Sequence, residues 1–199
     1  KAETYYQYLY NVPVEQEKSS YSILNSGSDW GLNTRDFLVN EGEGCNYGVE
    51  FTLERFYHDE FYFLTTLSLF ESKYRGSDGI KRNTAFNGQF VANALLGKEV
   101  KINNHATLVF DTKISWAGGK RYTPIDLEAS RNNPNGFSTV YREEEAYSKQ
   151  FSNYFKADFK AGFRLDGKKI SQLWEVYIEN LTNHTNPLNR SYSSIKDEI

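Results

Sequence analysis

Long stretches of this chain alternate strictly between apolar and polar residues. From Tyr154 to Leu165, Phe155, Ala157, Phe159, Ala161, Phe163 and Leu165 take every second position, and Tyr154, Lys156, Asp158, Lys160, Gly162 and Arg164 take the others. Successive side chains of an extended strand point to opposite sides, so this spacing makes one apolar and one polar face; a helix would scatter both sets around its circumference. Ordinary strands run about 5–6 residues, whereas this one sustains about a dozen. A tilted strand of about 9–11 residues crosses a bilayer. The segment therefore predicts a membrane-spanning barrel strand, or else a long strand of a soluble antiparallel sheet with its apolar face inward.

The same pattern recurs. Asn46–Phe56 sets Tyr47, Val49, Phe51 and Leu53 against Gly48, Glu50, Thr52 and Glu54. The next segment opposes Phe61, Phe63, Thr65, Leu67 and Leu69 to Tyr62, Leu64, Thr66, Ser68 and Phe70. Thr107–Ala117 puts Leu108, Phe110, Thr112, Ile114 and Trp116 opposite Asp111, Lys113 and Ser115, and Leu173–Leu181 puts Trp174, Val176 and Ile178 opposite Glu175, Tyr177 and Glu179. Glu3–Asn11 alternates more weakly, and Gln89–Ile102 is apolar and extended with a blurred period. Seven strands are expected.

Short polar links around His58, Asn104 and Gly167 separate some of these strands; long links over Val12–Gly44, Tyr74–Gly88, Gly118–Gln150 and beyond Asn183 separate the rest. The two kinds take turns, so in an up-and-down meander every long link leaves from the same rim. Structureless links beyond about 12–15 residues are uncommon in compact soluble domains, whereas long loops on one rim and short turns on the other are the habit of outer-membrane barrels. The expected fold class is all-β: an antiparallel up-and-down meander forming part of a large transmembrane β-barrel.

Composition agrees with this. Aromatic residues make up 16% of the chain, with 15 Tyr and 14 Phe, enough to line membrane interfaces. The mean hydropathy of −0.67 and the lack of any run of about 18 apolar residues exclude helical spans but not a barrel, where only alternate residues meet lipid. A net charge of −3 with dispersed Lys and Arg gives no nucleic-acid signal. The single Cys45 has no disulfide partner within the chain. There is no Met and no leader before Lys1, so both ends read as cut. Seven open strands would also leave two unpaired edges in lipid, and the sequence is expected to be part of a larger protein.

Chemistry for catalysis is missing. His58, His105 and His184 fall in or beside links, without a nucleophile–base arrangement. His58-Asp59-Glu60 reads as a polar turn and Glu143-Glu144-Glu145 as a solvated charge run; no metal site, cofactor or enzyme activity is expected. Polar-face charges (Glu50, Glu54, Asp111, Lys113, Lys156, Asp158, Lys160, Arg164, Glu175 and Glu179) belong to a lumenal wall. Ligand contacts are expected from the long links, at Tyr21, Trp30, Arg35, Tyr122, Arg131, Phe137, Tyr141 and Arg142. Trp30 leads, because an exposed indole stacks on sugar or chelate rings.

Several segments, in order, carry a resemblance. They are AETYYQYLYNVP (Ala2–Pro13), NYGVEFTLE (Asn46–Glu54), FLTTLSLFESKYRG (Phe63–Gly76), RNTAFNG (Arg82–Gly88), ALLGKE (Ala94–Glu99), GKRYTPIDLEAS (Gly119–Ser130), Tyr154–Arg164 and YIENLTN (Tyr177–Asn183). Their succession resembles the barrel of a TonB-dependent outer-membrane receptor of Bacteroidetes type, and residues 1–199 resemble its C-terminal portion without the plug, the N-terminal region and the last strand. Such barrels have about 22 strands. The resemblance implies a bacterial outer-membrane location and energised uptake of an iron chelate, cobalamin or an oligosaccharide. The implied partners are the imported molecule, outer-membrane lipid, the TonB complex through the missing N-terminal part, and a surface lipoprotein as a further candidate. Two alternatives stay open: a soluble β-sandwich acting as a carbohydrate-binding or adhesion module, and a passive porin. The sandwich would cover the face holding Phe155, Phe159, Phe163, Leu108, Phe110, Ile114 and Trp116; a membrane barrel would leave it bare.

Overall fold

Each alternating segment forms a strand. A computed structural model describes residues 1–27, 35–133, 139–187 and 189–193. The strands are β1 (Ala2–Glu15), β2 (Leu38–His58), β3 (Phe61–Arg75), β4 (Lys81–Asn83), β5 (Phe90–Asn103), β6 (Ala106–Ala117), β7 (Arg121–Tyr122), β8 (Lys149–Gln150), β9 (Tyr154–Asp166) and β10 (Ser171–Ile178), with a short helix α1 (Leu127–Arg131). The main sheet runs β1-β2-β3-β5-β6-β9-β10, each strand antiparallel to its neighbours; β4 adds to β3, and β7 pairs with β8. This is the antiparallel meander that the alternation predicts. It is open: among the described residues, β1 and β10 pair on one side only.

Cross-strand partners share a face, so the register sorts the side chains. One row runs Leu53, Thr65, Ala94, Ile114 and Ala157; the next runs Phe51, Leu67, Ala92, Trp116 and Phe155. Towards the other end, Leu108 stands opposite Phe163, which stands opposite Trp174. The apolar sets of separate segments thus merge into one face across seven strands. Among the described residues no second sheet or helix covers it. Leu53 on an interior strand is 64% exposed, and Trp174 and Val176 are 68% and 66% exposed.

Charge is kept to the rims of this face. Phe61–Phe70 of β3 contains no charged residue; Arg55 and Lys98 lie at the short-turn end and Glu71 and Lys73 at the long-link end. Ten residues at about 3.3 Å each make this uncharged stretch about 33 Å long along the strand. Rings edge it. Phe61 and Phe63 (centroids 5.9 Å apart) stand near the short turns, while Tyr6, Tyr47, Trp116 and Phe155 lie towards the long links, where Phe90 meets Trp116 edge-on at 4.8 Å.

The turns follow their sequence. Asp59 and Glu60 both have positive φ (53° and 64°), the two-residue hairpin geometry whose twist suits right-twisted strands. Two strands exceed their expected bounds. The β1–β2 ladder reaches Glu15–Leu38, beyond Asn11, leaving 16–37 as the link. Register shifts between Leu9 and Pro13, with Asn11 at φ 55°, break the period there, so the extension is silent in the alternation. The Gly118–Gln150 link also has structure of its own: β7, β8, α1 and a 3-10 turn at Glu143–Glu145, where Glu143 and Glu144 are exposed.

Most buried residues gather at the long-link rim: Val12, Val14, Tyr74, Ala85, Asn87, Ile125 and Ala146. The links fold over the polar face. Tyr74, opposite Gly44, donates its hydroxyl to the Ser20 carbonyl at 2.8 Å, and Leu24 packs where a Cβ on Gly44 would stand.

Candidate functional site

The polar face is a hydrogen-bonded wall. Tyr62 on β3 arches over Gly97 on β5 to donate to Asp111 on β6 at 2.5 Å. A Cβ on Gly97 would stand 2.1 Å from the tyrosine ring, so only glycine leaves room. Asp111 also holds Lys160 of β9 at 2.9 Å, and Lys160 reaches Glu175 of β10 at 3.0 Å. Arg164 crosses β6 above the buried Thr107 to grip Glu99 of β5 with two bonds of 3.0 Å, and Tyr57 donates to the same carboxylate at 2.9 Å. Lys156 lies 3.4 Å from Asp158 and 3.5 Å from Glu179. Such opposite-charge pairs side by side need the strand register, and they neutralise most of the wall.

Above it, the links lace together around a cavity of about 740 Å³, within the usual range for ligand sites. Ser19 donates its amide to Ser77 at 3.0 Å, and the Ser77 hydroxyl donates to the Glu17 carbonyl at 2.6 Å. Asn25 accepts the Ala85 amide at 2.9 Å. Asn87, fully buried, ties the β3–β5 link down: it accepts from the Ser72 amide, donates to Glu71 and Asn83, and gives its carbonyl to the Arg121 guanidinium at 3.0 Å. Gly88 and Gly118 cross so closely that a Cβ on Gly118 would lie 1.6 Å from the Gly88 carbonyl oxygen. The Ser20 hydroxyl donates to Glu143 at 2.6 Å, joining the first link to the third. Burial raises the Tyr147 phenol above its usual range, and the Glu143 carboxylate adds to that.

Rings position the cations here. The Arg35 guanidinium lies 4.3 Å from the Tyr21 ring centre and also pairs with Glu15; Lys120 lies 5.6 Å from that of Phe86. Arg190 stands 5.3 Å from the Tyr122 ring centre and donates to its hydroxyl at 3.2 Å, while the same ring meets that of Phe151 with centroids 4.4 Å apart. Held by Phe151, Tyr122 orients Arg190 through its hydroxyl and ring.

Of the loop residues expected to meet a ligand, Tyr21, Arg35, Tyr122 and Tyr141 line the cavity. Arg131 ends α1, and Arg142 lies 3.8 Å from Asp126 and 3.6 Å from Glu145; neither lines it. Trp30 and Phe137 fall outside the described residues. Sequence reasoning passed over Lys18, the adjacent Lys120 and Arg121, and Arg190, which come from three separate links and share no motif. Among the described residues no cluster of His, Cys, Asp and Glu could hold a metal ion.

No protein-family model, curated protein or solved structure matches this chain.

Proposed function

We propose that this chain forms wall and extracellular loops of a TonB-coupled outer-membrane receptor that takes up an iron chelate, cobalamin or an oligosaccharide through a plugged barrel. The observation that carries the reading is the uncharged apolar face shared by seven strands, bare outside and backed by a paired polar wall. In lipid such a face stays out of water, while the antiparallel ladders satisfy the backbone internally. In water it would far exceed the few hundred Å² of contiguous apolar surface that monomers expose. Further strands close the barrel beyond β1 and β10 in this reading, since an unpaired edge in hydrocarbon is prohibitive. Plug and coupling segment lie elsewhere in the protein. A β-sandwich module would need a second sheet over Phe155, Phe159 and Phe163, and the described residues hold none.

The test is the full-length gene product in detergent. A compact band in unboiled samples that shifts on boiling, together with uptake that stops when TonB is deleted, is the expected result. Full-length protein that is monomeric and cooperatively folded in plain buffer would overturn the barrel; a shift with uptake independent of TonB would leave a porin.

A further inference from the structure

The loop cavity has a charge sign opposite to that of the chain. The whole sequence carries −3; the lining holds Lys18, Arg35, Lys120, Arg121 and Arg190 against Glu15 and Glu143, which is five minus two, or +3. Both carboxylates are engaged, Glu15 with Arg35 and Glu143 with the Ser20 hydroxyl. Among the described residues no carboxylate pairs with Lys18, Lys120, Arg121 or Arg190. Elsewhere the same chain pairs its cations closely, as at Lys160 and Arg164. Lys81, Lys113, Lys149, Lys168 and Lys169 stand outside the cavity, whereas Lys18, Lys120, Arg121 and Arg190 gather around one space.

Rings already hold Lys120 and Arg190 in place, so little side-chain entropy remains to be lost when an anion arrives.

We propose that this cavity binds a small polyanion, its acid groups against Lys18, Lys120, Arg121 and Arg190. The proposal rests on the uptake-receptor reading and narrows its cargo to acidic molecules. Cobalamin and neutral glucans are thereby excluded. An acidic oligosaccharide and a ferric hydroxycarboxylate chelate share the required chemistry.

The test is titration calorimetry on the full-length protein in detergent, with tetragalacturonate, ferric citrate and neutral maltotetraose as probes. Binding of either acidic probe, at least about tenfold tighter than maltotetraose, is expected, because each charge-assisted contact is worth about a factor of ten or more. Which acidic probe binds distinguishes glycan from chelate. Lys120→Ala and Arg190→Ala should each weaken that probe about tenfold while leaving the boiling shift intact, and 0.5 M salt should weaken it further. Equal binding of maltotetraose, or no binding of either acidic probe by a protein that still shows the boiling shift, would overturn the polyanion proposal and leave the barrel standing. Loss of the shift in the unmodified protein would instead overturn the barrel reading.

Discussion

Ala94 offers a substitution whose sign depends on what the apolar face touches. It lies on that face opposite Thr65 of β3 and Ile114 of β6, and is half-buried. Thr65 falls midway along the uncharged stretch Phe61–Phe70, so Ala94 stands near the middle of the band. An arginine at mid-depth in lipid costs about 2–4 kcal/mol. Leucine adds three carbons, at about 0.8 kcal/mol per methylene fully removed from water; partial cover by Ile114 reduces the gain to about 1–2 kcal/mol. Ala94→Leu should therefore exceed Ala94→Arg in stability by about 3–6 kcal/mol. In water the two should fall within about 0.5 kcal/mol of the parent, with leucine the worse for solubility. Reversible urea unfolding of the full-length protein from phospholipid vesicles measures both, with the unboiled gel band reporting the folded fraction. Arginine tolerated as well as leucine would refute the assignment of this face to lipid.

Other outcomes follow from particular contacts. Gly97→Val should displace Tyr62 and break its bond to Asp111 at a cost of about 1–3 kcal/mol in the same unfolding assay, and Tyr62→Ala should remove most of that penalty in the double variant. Asn87→Leu deletes the side-chain bonds to Ser72, Glu71 and Asn83; it should make the long links protease-sensitive while the boiling shift survives, since it touches only the link-side ends of β3 and β4 and not the ladders below. Tyr147 binds its proton more tightly when folded than when unfolded, so its contribution is complete below its ordinary value near pH 10 and is lost as pH rises above it. Proteolysis of the loop cap should accelerate above pH 10, and Tyr147→Phe should flatten that dependence.

The meander, its strand count and the two link lengths were legible because a period of two survives wherever one face meets a uniform environment. Phe155 through Leu165 show this most clearly. The signal failed where that environment changes. At Asn11–Glu15, register shifts and a positive φ scramble the alternation, although the ladder continues. Within Gly118–Gln150, two-residue strands and a five-residue helix are too short to display any period.

For the cavity the limit is different. Tyr21, Arg35, Tyr122 and Tyr141 stood out as aromatic or cationic residues in long links, and they do line one cavity. Residue type alone also marked Arg131 and Arg142, which do not, and passed over Lys18, Lys120, Arg121 and Arg190. The sequence by itself determined which side chains share a strand face, because that depends only on the parity of neighbouring positions. Tertiary structure alone decided that seven such faces join into one uncharged band, that Tyr62 reaches Asp111 across Gly97, and that Lys18, Lys120, Arg121 and Arg190 from three separate links converge on one cavity. Those outcomes depend on cross-strand register and loop folding, which bring together residues separated by up to about 170 positions, as Lys18 and Arg190 are.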